Sequence, residues 1–302
     1  MRILLCLLFT FLIVNVAQAL EIQKISNDVY ALVGEMKQRS VTNLANNATF
    51  GVVITEEGIV LIDPGGSWQG AKQIDETIQT ISDQPVKIVI NTGGQDHRWL
   101  GNGYWKAKGA KIMAVQEAVT DQKERASVQL SMLRNLLGKA LDGTDPVYAD
   151  LTFETSHNFT YGGLSFELVH AGHAHTPGDI FVRVKERDVL FSGDIVFVER
   201  LLGVGPQSNS KEWVEAFKKI ASYHPATIVP GHGHVTTLKT AQEQTYDYLL
   251  SLRNKMRAHL DAGGDMIDAP KIDQSAFAHL AQFDALAGRN AQQVFSEMEW
   301  EE

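Results

Sequence analysis

Cysteine is almost missing from this chain. The only one among 302 residues, Cys6, lies inside the apolar run 3–14. Arg2 precedes that run, and Asn15 and the tripeptide Ala17-Gln18-Ala19 follow it. A basic start, a short apolar core and a small-x-small site read as a secretory leader over residues 1–19. Cys6 sits within the apolar core, not just after a cleavage site, which excludes a lipid-anchored cysteine. Removal of the leader leaves no cysteine at all, hence no disulfide and no thiolate ligand. The expected location is periplasmic or secreted.

Long hydrophobic runs are lacking too. The run 3–14 falls short of the about 20 residues that span a bilayer. An uncleaved anchor is the alternative, but Asn15 and the cleavage site favour removal, so no membrane association is expected afterwards. Excess positive charge is also absent. Lys and Arg number 27 against 36 Asp and Glu, a net charge of −9, with no Lys/Arg run and no basic-aromatic interleaving. That balance argues against nucleic acid as a partner; a small-molecule substrate is expected. Neither a short repeat nor a low-complexity stretch nor an interdomain linker interrupts the chain. The roughly 283 residues left after the leader suit one domain, 20–302, with a helical tail from about 236. Oligomeric state stays open.

What is present is a strand-rich start followed by alternation of strands and helices. Residues 22–33 read as a strand pair turning at Asn27-Asp28, and 50–55 with 58–62 as a hairpin. Residues 68–81 carry Ile74, Ile78 and Ile81 at helical spacing. The β-branched run 86–90, apolar but for Lys87, reads as a buried strand. Strands are expected at 110–114, 151–153, 164–170, 180–184, 189–192 and 227–229. Helices are expected at 116–140, 211–220, 240–260 and 274–295. Hairpins followed by strand-helix alternation in each half argue two sheets with helices on their outer faces.

Three loops after strands hold potential metal ligands: His175-Thr-Pro-Gly-Asp179, Gly193-Asp194 and Pro230-Gly-His-Gly233. Imidazoles and carboxylates suit zinc or iron. These motifs, with Leu61-Ile-Asp-Pro-Gly65 and Ile90-Asn-Thr92, occur in the order found in the metallo-β-lactamase superfamily, which the chain resembles from about Val29 to Gly233. The resemblance implies an α/β fold, the four-layer αβ/βα sandwich of that family, here with a C-terminal helical extension. It implies that His175 ligates a first metal, His232 a second, and that Asp194 bridges them. Asp63 and Asp179 become supporting carboxylates.

The family's His-x-His-x-Asp-His loop is altered. Here it reads Asn91-Thr-Gly-Gly-Gln-Asp-His-Arg-Trp-Leu-Gly-Asn102, with one histidine. Two registers are open. Without a gap, Gly93, Gln95, His97 and Arg98 take the four ligand positions, and Arg98, a permanent cation, fills the place of one metal. A one-residue slide matches Asp96-His97 to the family's Asp-His and leaves Asp96, His97, Asp194 and His232 as a second site. The ligand set is therefore His97, His175, Asp194, His232 and Asp96, with Asp96 a general base if it is not a ligand. Arg98 and Gln95 would touch substrate or support the ligands. Arg98-Trp99 either lines the mouth of the site or packs inward. The implied activity is hydrolysis of an ester, thioester, amide or phosphoester by metal-activated water, using one ion, zinc before iron or manganese. The alternative is a non-catalytic descendant that binds a small ligand or partner with its metal site weakened or lost.

Overall fold

The computed structural model describes residues 19–301. All of the proposed leader except Ala19 lies outside the described residues. Among these, no helix is long and apolar enough to cross a membrane.

Among the described residues, twelve strands form two sheets. The first takes β1 (Glu21–Lys24), β2 (Val29–Val33), β3 (Thr49–Thr55), β4 (Gly58–Ile62), β5 (Val86–Ile90), β6 (Lys111–Val115) and β7 (Leu151–Phe153), side by side in chain order. Its first four strands pair antiparallel, and β4 through β7 run parallel. The second sheet has the order β12 (Thr227–Val229), β11 (Val189–Phe191), β10 (Ile180–Val184), β9 (Leu164–His170) and β8 (Ser156–Tyr161). Only β11 and β12 pair parallel in it.

Alternation along the strands sorts side chains into layers. Val29, Ala31 and Val33 of β2 join Ile88, Ile90, Phe166, Leu168, Val182 and Phe191 in the core between the sheets. Leu32, Phe50, Leu61 and Val89 face the other way, onto Ala71, Ile74 and Ile78 of α1 (Trp68–Gln79) and Trp105 of α2 (Asn102–Ala107). Behind the second sheet, Phe181, Leu190 and Ile228 pack with Trp213 and Phe217 of α4 (Ser210–Ser222). Helix α3 (Gln116–Leu137) lies between these along the chain. The same rear core takes in the tail helices α5 (Leu238–Ala241), α6 (Asp247–Asp261) and α7 (Phe283–Met298). The result is helices, sheet, sheet, helices.

Helix α2 is not expected from the sequence, and two further elements differ from its reading. Strand β8 carries Ser, His, Asn and Thr, so its alternation is weak, yet it pairs with β9 along its whole length at the sheet edge. Residues 274–282 are not the start of a long helix. They form a 3₁₀ turn, Ser275–Phe277, and a bend in which Gln282 has φ +66°. That left-handed residue fixes where α7 begins.

Candidate functional site

The site residues stand in loops after β5, β9, β11 and β12. After β5, a 3₁₀ turn (Asp96–Arg98) carries His97 and Arg98. It is closed by Arg98 N–H to Gln95 O and Leu100 N–H to Asp96 O. Asp194 rides in a similar turn after β11, where Gly193 has φ +51° and its missing side chain leaves room for Thr92 Oγ1. His232 follows β12 and is tied to the adjacent segment by Val198 N–H to His232 O. Phe197 stacks on its ring, centroids 4.5 Å apart.

Asp194 is the centre of the cluster. His97 Nε2 lies 3.2 Å from Oδ2, and His232 Nε2 lies 3.2 Å from Oδ1. Arg98 grips both oxygens, Nη2 to Oδ1 at 2.7 Å and Nε to Oδ2 at 3.2 Å. Its other donors go to Asp63 Oδ2, Thr49 O and Gly231 O. All five guanidinium N–H groups are used. Burial opposes the charge of Asp194, but Arg98, His97 and His232 overcome it and hold the carboxyl well below its usual range. Asp63 stands on a left-handed backbone, φ +68°, and also accepts from Thr92 N–H and Thr92 Oγ1. Burial pushes its carboxyl up against the pull of Arg98.

The ligand atoms of His97, Asp194 and His232 all lie within 4.8 Å of one another. The structure does not bring Asp96 into that group. Its Oδ1 accepts from Arg39 Nη2 and from the His97 amide, and its Oδ2 is buried without a partner. Burial disfavours the anion, yet Arg39 and His97 keep it ionised well below the usual carboxylate range. The side chain is fully buried and not part of the cavity wall. His175 stands apart from the cluster as well. Its Nδ1 lies 2.9 Å from Gly203 O, which accepts the ring proton and leaves Nε2 with the lone pair. Burial lowers this imidazole to about 4, so it is neutral.

The rest of the altered loop is packed, not open. A side chain at Gly93 would meet Asp179 Oδ1 at 2.4 Å, and one at Gly94 would meet Asp121 Oδ2. The two glycines therefore make room for carboxylates, not for substrate. Gln122 and Gln129 of α3 donate to the carbonyls of Gly93 and Gly94. Trp99 is fully buried, stacked on Tyr148 and bonded to Gln129. Arg98 and Trp99 thus pack inward and do not line the mouth. Asp179 accepts from Thr176 N–H at 2.8 Å, and burial pushes its carboxyl up to about 8. Gln95 lines the cavity and lies within reach of Arg125. His173 bonds Gln207 O, and His234 pairs with Glu199 and Glu21 away from the cluster.

Two arginines went unread in the sequence. Arg39 Nη2 reaches His97 Nδ1 at 3.1 Å, and Arg200 Nη1 reaches His232 Nδ1 at 3.2 Å. A guanidinium only donates. His232 Nδ1 must therefore accept, which puts the ring proton on Nε2 facing Asp194. At His97 the Oδ1 of Asp96 also lies 3.0 Å from Nδ1 and favours a proton there, so its tautomer is less firmly set. Burial drops His232 well below the usual imidazole range, and Arg200 adds to the drop. Burial also lowers Arg200, to about 10, helped by Arg39. Arg39 follows Met36-Lys-Gln in an irregular segment that carries no motif. Arg200 follows Asp194 in the chain but lies outside every motif read above.

The donor set of His97, Asp194 and His232 would suit a divalent ion. Two imidazole nitrogens and a carboxylate converge, whereas Arg98 fills the opposite side of Asp194 and Gly93 and Gly94 offer no ligand. The fit carries one requirement. Each imidazole must present the Nε2 lone pair, moving its proton to Nδ1, where the arginines now stand.

The family model for the metallo-beta-lactamase superfamily matches residues 44–232. The chain belongs to that superfamily. It is 24% identical over 221 residues to a metallo-beta-lactamase type 2 of Elizabethkingia meningoseptica, an alignment covering 72% of this chain and 80% of that protein. Among solved structures, a metallo-beta-lactamase from Pontibacter korlensis superposes with a TM-score of 0.63 at 22% identity, over 76% of this chain and 99% of that one. The stereoselective inverting sec-alkylsulfatase Pisa1 from Pseudomonas sp. superposes with a TM-score of 0.73 at 14% identity. That match covers 93% of this chain and half of the sulfatase. These structures are similar in fold, the mixed α/β sandwich described above.

Proposed function

We propose that the chain is an exported small-molecule hydrolase that works with a single divalent ion, zinc before iron or manganese, held by His97, Asp194 and His232. The convergence of these three side chains within 4.8 Å carries the reading. When bound, such an ion polarises a carbonyl or phosphoryl oxygen and lowers the pKa of a water. The protein's own groups do the rest. Burial keeps His232 and His175 neutral, so each ring has one nitrogen with a lone pair and neither adds a positive charge of its own. Arg98 fixes Asp194 from beneath and supplies a permanent positive charge on its far side. Gly203 O orients His175, whose Nε2 is free to act as a further ligand or to accept a proton from substrate. The scissile bond is an ester, thioester, amide or phosphoester bond. The leader read in residues 1–19 supports export to the periplasm or beyond.

A second reading has its own support. The Arg200 contact at Nδ1 of His232 favours the non-ligating tautomer there, as expected of a binding protein whose metal site has closed. Metal analysis separates the two. Zinc-loaded, desalted protein should carry close to one ion per chain by plasma mass spectrometry, and His232→Ala should lose most of it. Wild type without zinc, iron or manganese at near-stoichiometric level would sink the hydrolase reading and leave the binding protein.

A further inference from the structure

Beside the cluster lies a cavity of about 440 Å³ whose wall includes Arg39, Arg200 and Arg289 and no Asp or Glu. In a chain of net charge −9 this is a local reversal of sign. Arg200 is the telling residue. It is only 5% exposed, and among the described residues it forms no ion pair. Its Nη1 touches Lys37 O and His232 Nδ1, and its Nε is buried with no partner. Arg39 spends one nitrogen on Asp96, and its Nε is likewise buried and unpartnered. A buried guanidinium without a counter-charge is costly, and it is kept where something else supplies the anion.

We propose that Arg200, with Arg39 beside it and Arg289 at the rim, seats a tetrahedral oxyanion group of the substrate, a sulfate or phosphate ester. The three arginines line the cavity from three segments: the loop after β2, the loop after Asp194, and α7. A planar carboxylate offers two oxygens and one edge for a fork, whereas a tetrahedral group offers three. Phe197, Val204 and Leu286 in the same wall give the organic remainder an apolar surface. The cavity also opens on His97, His175 and His232, so the held group lies next to the reacting centre. This names the substrate class of the proposed hydrolase and rests on that reading for the chemistry, but the anion seat itself needs no metal.

Calorimetric titration of the whole protein with inorganic sulfate, phosphate and acetate in chloride buffer tests it, once with chelator and once zinc-loaded. Saturable binding of sulfate or phosphate is expected in both, with acetate weaker. The tighter of the two anions assigns the ester class. Arg200→Gln should weaken binding by roughly tenfold or more, as for a lost charge-assisted fork. Arg200→Lys keeps the charge and should give an intermediate loss, and it stands in should the Gln variant fail to fold. Lys218→Gln, on the exposed face of α4, should change nothing. No saturable heat from either tetrahedral anion, acetate binding tightest, or undiminished affinity in both Arg200 variants overturns the proposal. Anion binding without any metal binding overturns the hydrolase reading alone.

Discussion

Arg98 meets Asp194 side-on, one nitrogen to each carboxylate oxygen, at the floor of the site. The guanidinium is fully buried and also neutralises Asp63. Burial disfavours its charge, but Asp194 and Asp63 overcome that and hold it above the usual arginine range. Arg98 is thus a buried structural cation shared by two carboxylates.

Removing that cation should be expensive. Arg98→Leu leaves two buried carboxylates facing each other without a counter-charge, and should cost about 3–5 kcal/mol of stability. Arg98→Lys keeps the charge but supplies three donors for five acceptors, so it should fall between Leu and wild type. Urea midpoints read both. A Leu variant within ~0.5 kcal/mol of wild type, the range of ordinary surface changes, would show that the network contributes little.

The glycine pair makes a second expectation. A methyl at Gly94 runs into the carboxylate of Asp121, which Arg125 clamps through two nitrogens. Gly94→Ala should lose about 1–3 kcal/mol by overpacking. The loss should shrink in an Asp121→Ala background, since the obstacle is gone. Equal losses in both backgrounds would place the strain elsewhere in the loop.

These residues also mark how far the sequence could be read. Strands β2 to β6 and helices α1, α3 and α4 were legible because burial imposes period 2 or 3.6 on their apolar residues. Edge strand β8 escaped because only one of its faces meets the core and polar residues fill the rest. His97, Asp194 and His232 were legible as single residues in loops after strands. Their mutual geometry was not, because it depends on which way a short 3₁₀ turn points. That turn directs His97 and Arg98 inward and sends Asp96 to Arg39, a partner 57 residues away. No local pattern encodes such a contact. The carboxylates that Gly93 and Gly94 accommodate come likewise from distant segments, α3 and the loop before β10.

The contact between Arg200 and His232 couples the proposed anion seat to the proposed metal site. Arg200→Gln removes a donor from Nδ1 and can accept a proton there, freeing Nε2 as a ligand. Zinc affinity, measured by competition with a chromophoric chelator, should rise by about tenfold or more, the scale of effects from groups that orient metal-bound imidazoles. Arg200→Lys retains charge and a donor and should gain little. If Lys and Gln raise affinity equally, the arginine fork and not the tautomer is what matters. If neither does, the imidazole already presents Nε2 in the resting protein.

Asp179 gives a pH signature for stability. Burial, with Asp194 and Asp121 adding, raises its folded pKa to about 8, against about 3.9 for an unfolded aspartate. Between those values the folded state holds a proton that the unfolded state has released. Stability from this group is therefore fully present below about pH 4 and declines as pH rises toward 8, by at most ~1.4 kcal/mol per pH unit. Asp179→Asn copies the protonated acid. Its oxygen can accept from Thr176 N–H while its amide donates to the Thr176 hydroxyl, the two groups that Asp179 now touches. In chelated protein, the melting temperature of wild type should fall relative to Asp179→Asn between pH 5 and pH 8. A difference that stays constant across that window, or one that grows in favour of wild type, would mean that Asp179 is ionised in the fold and that Thr176 holds it as an anion.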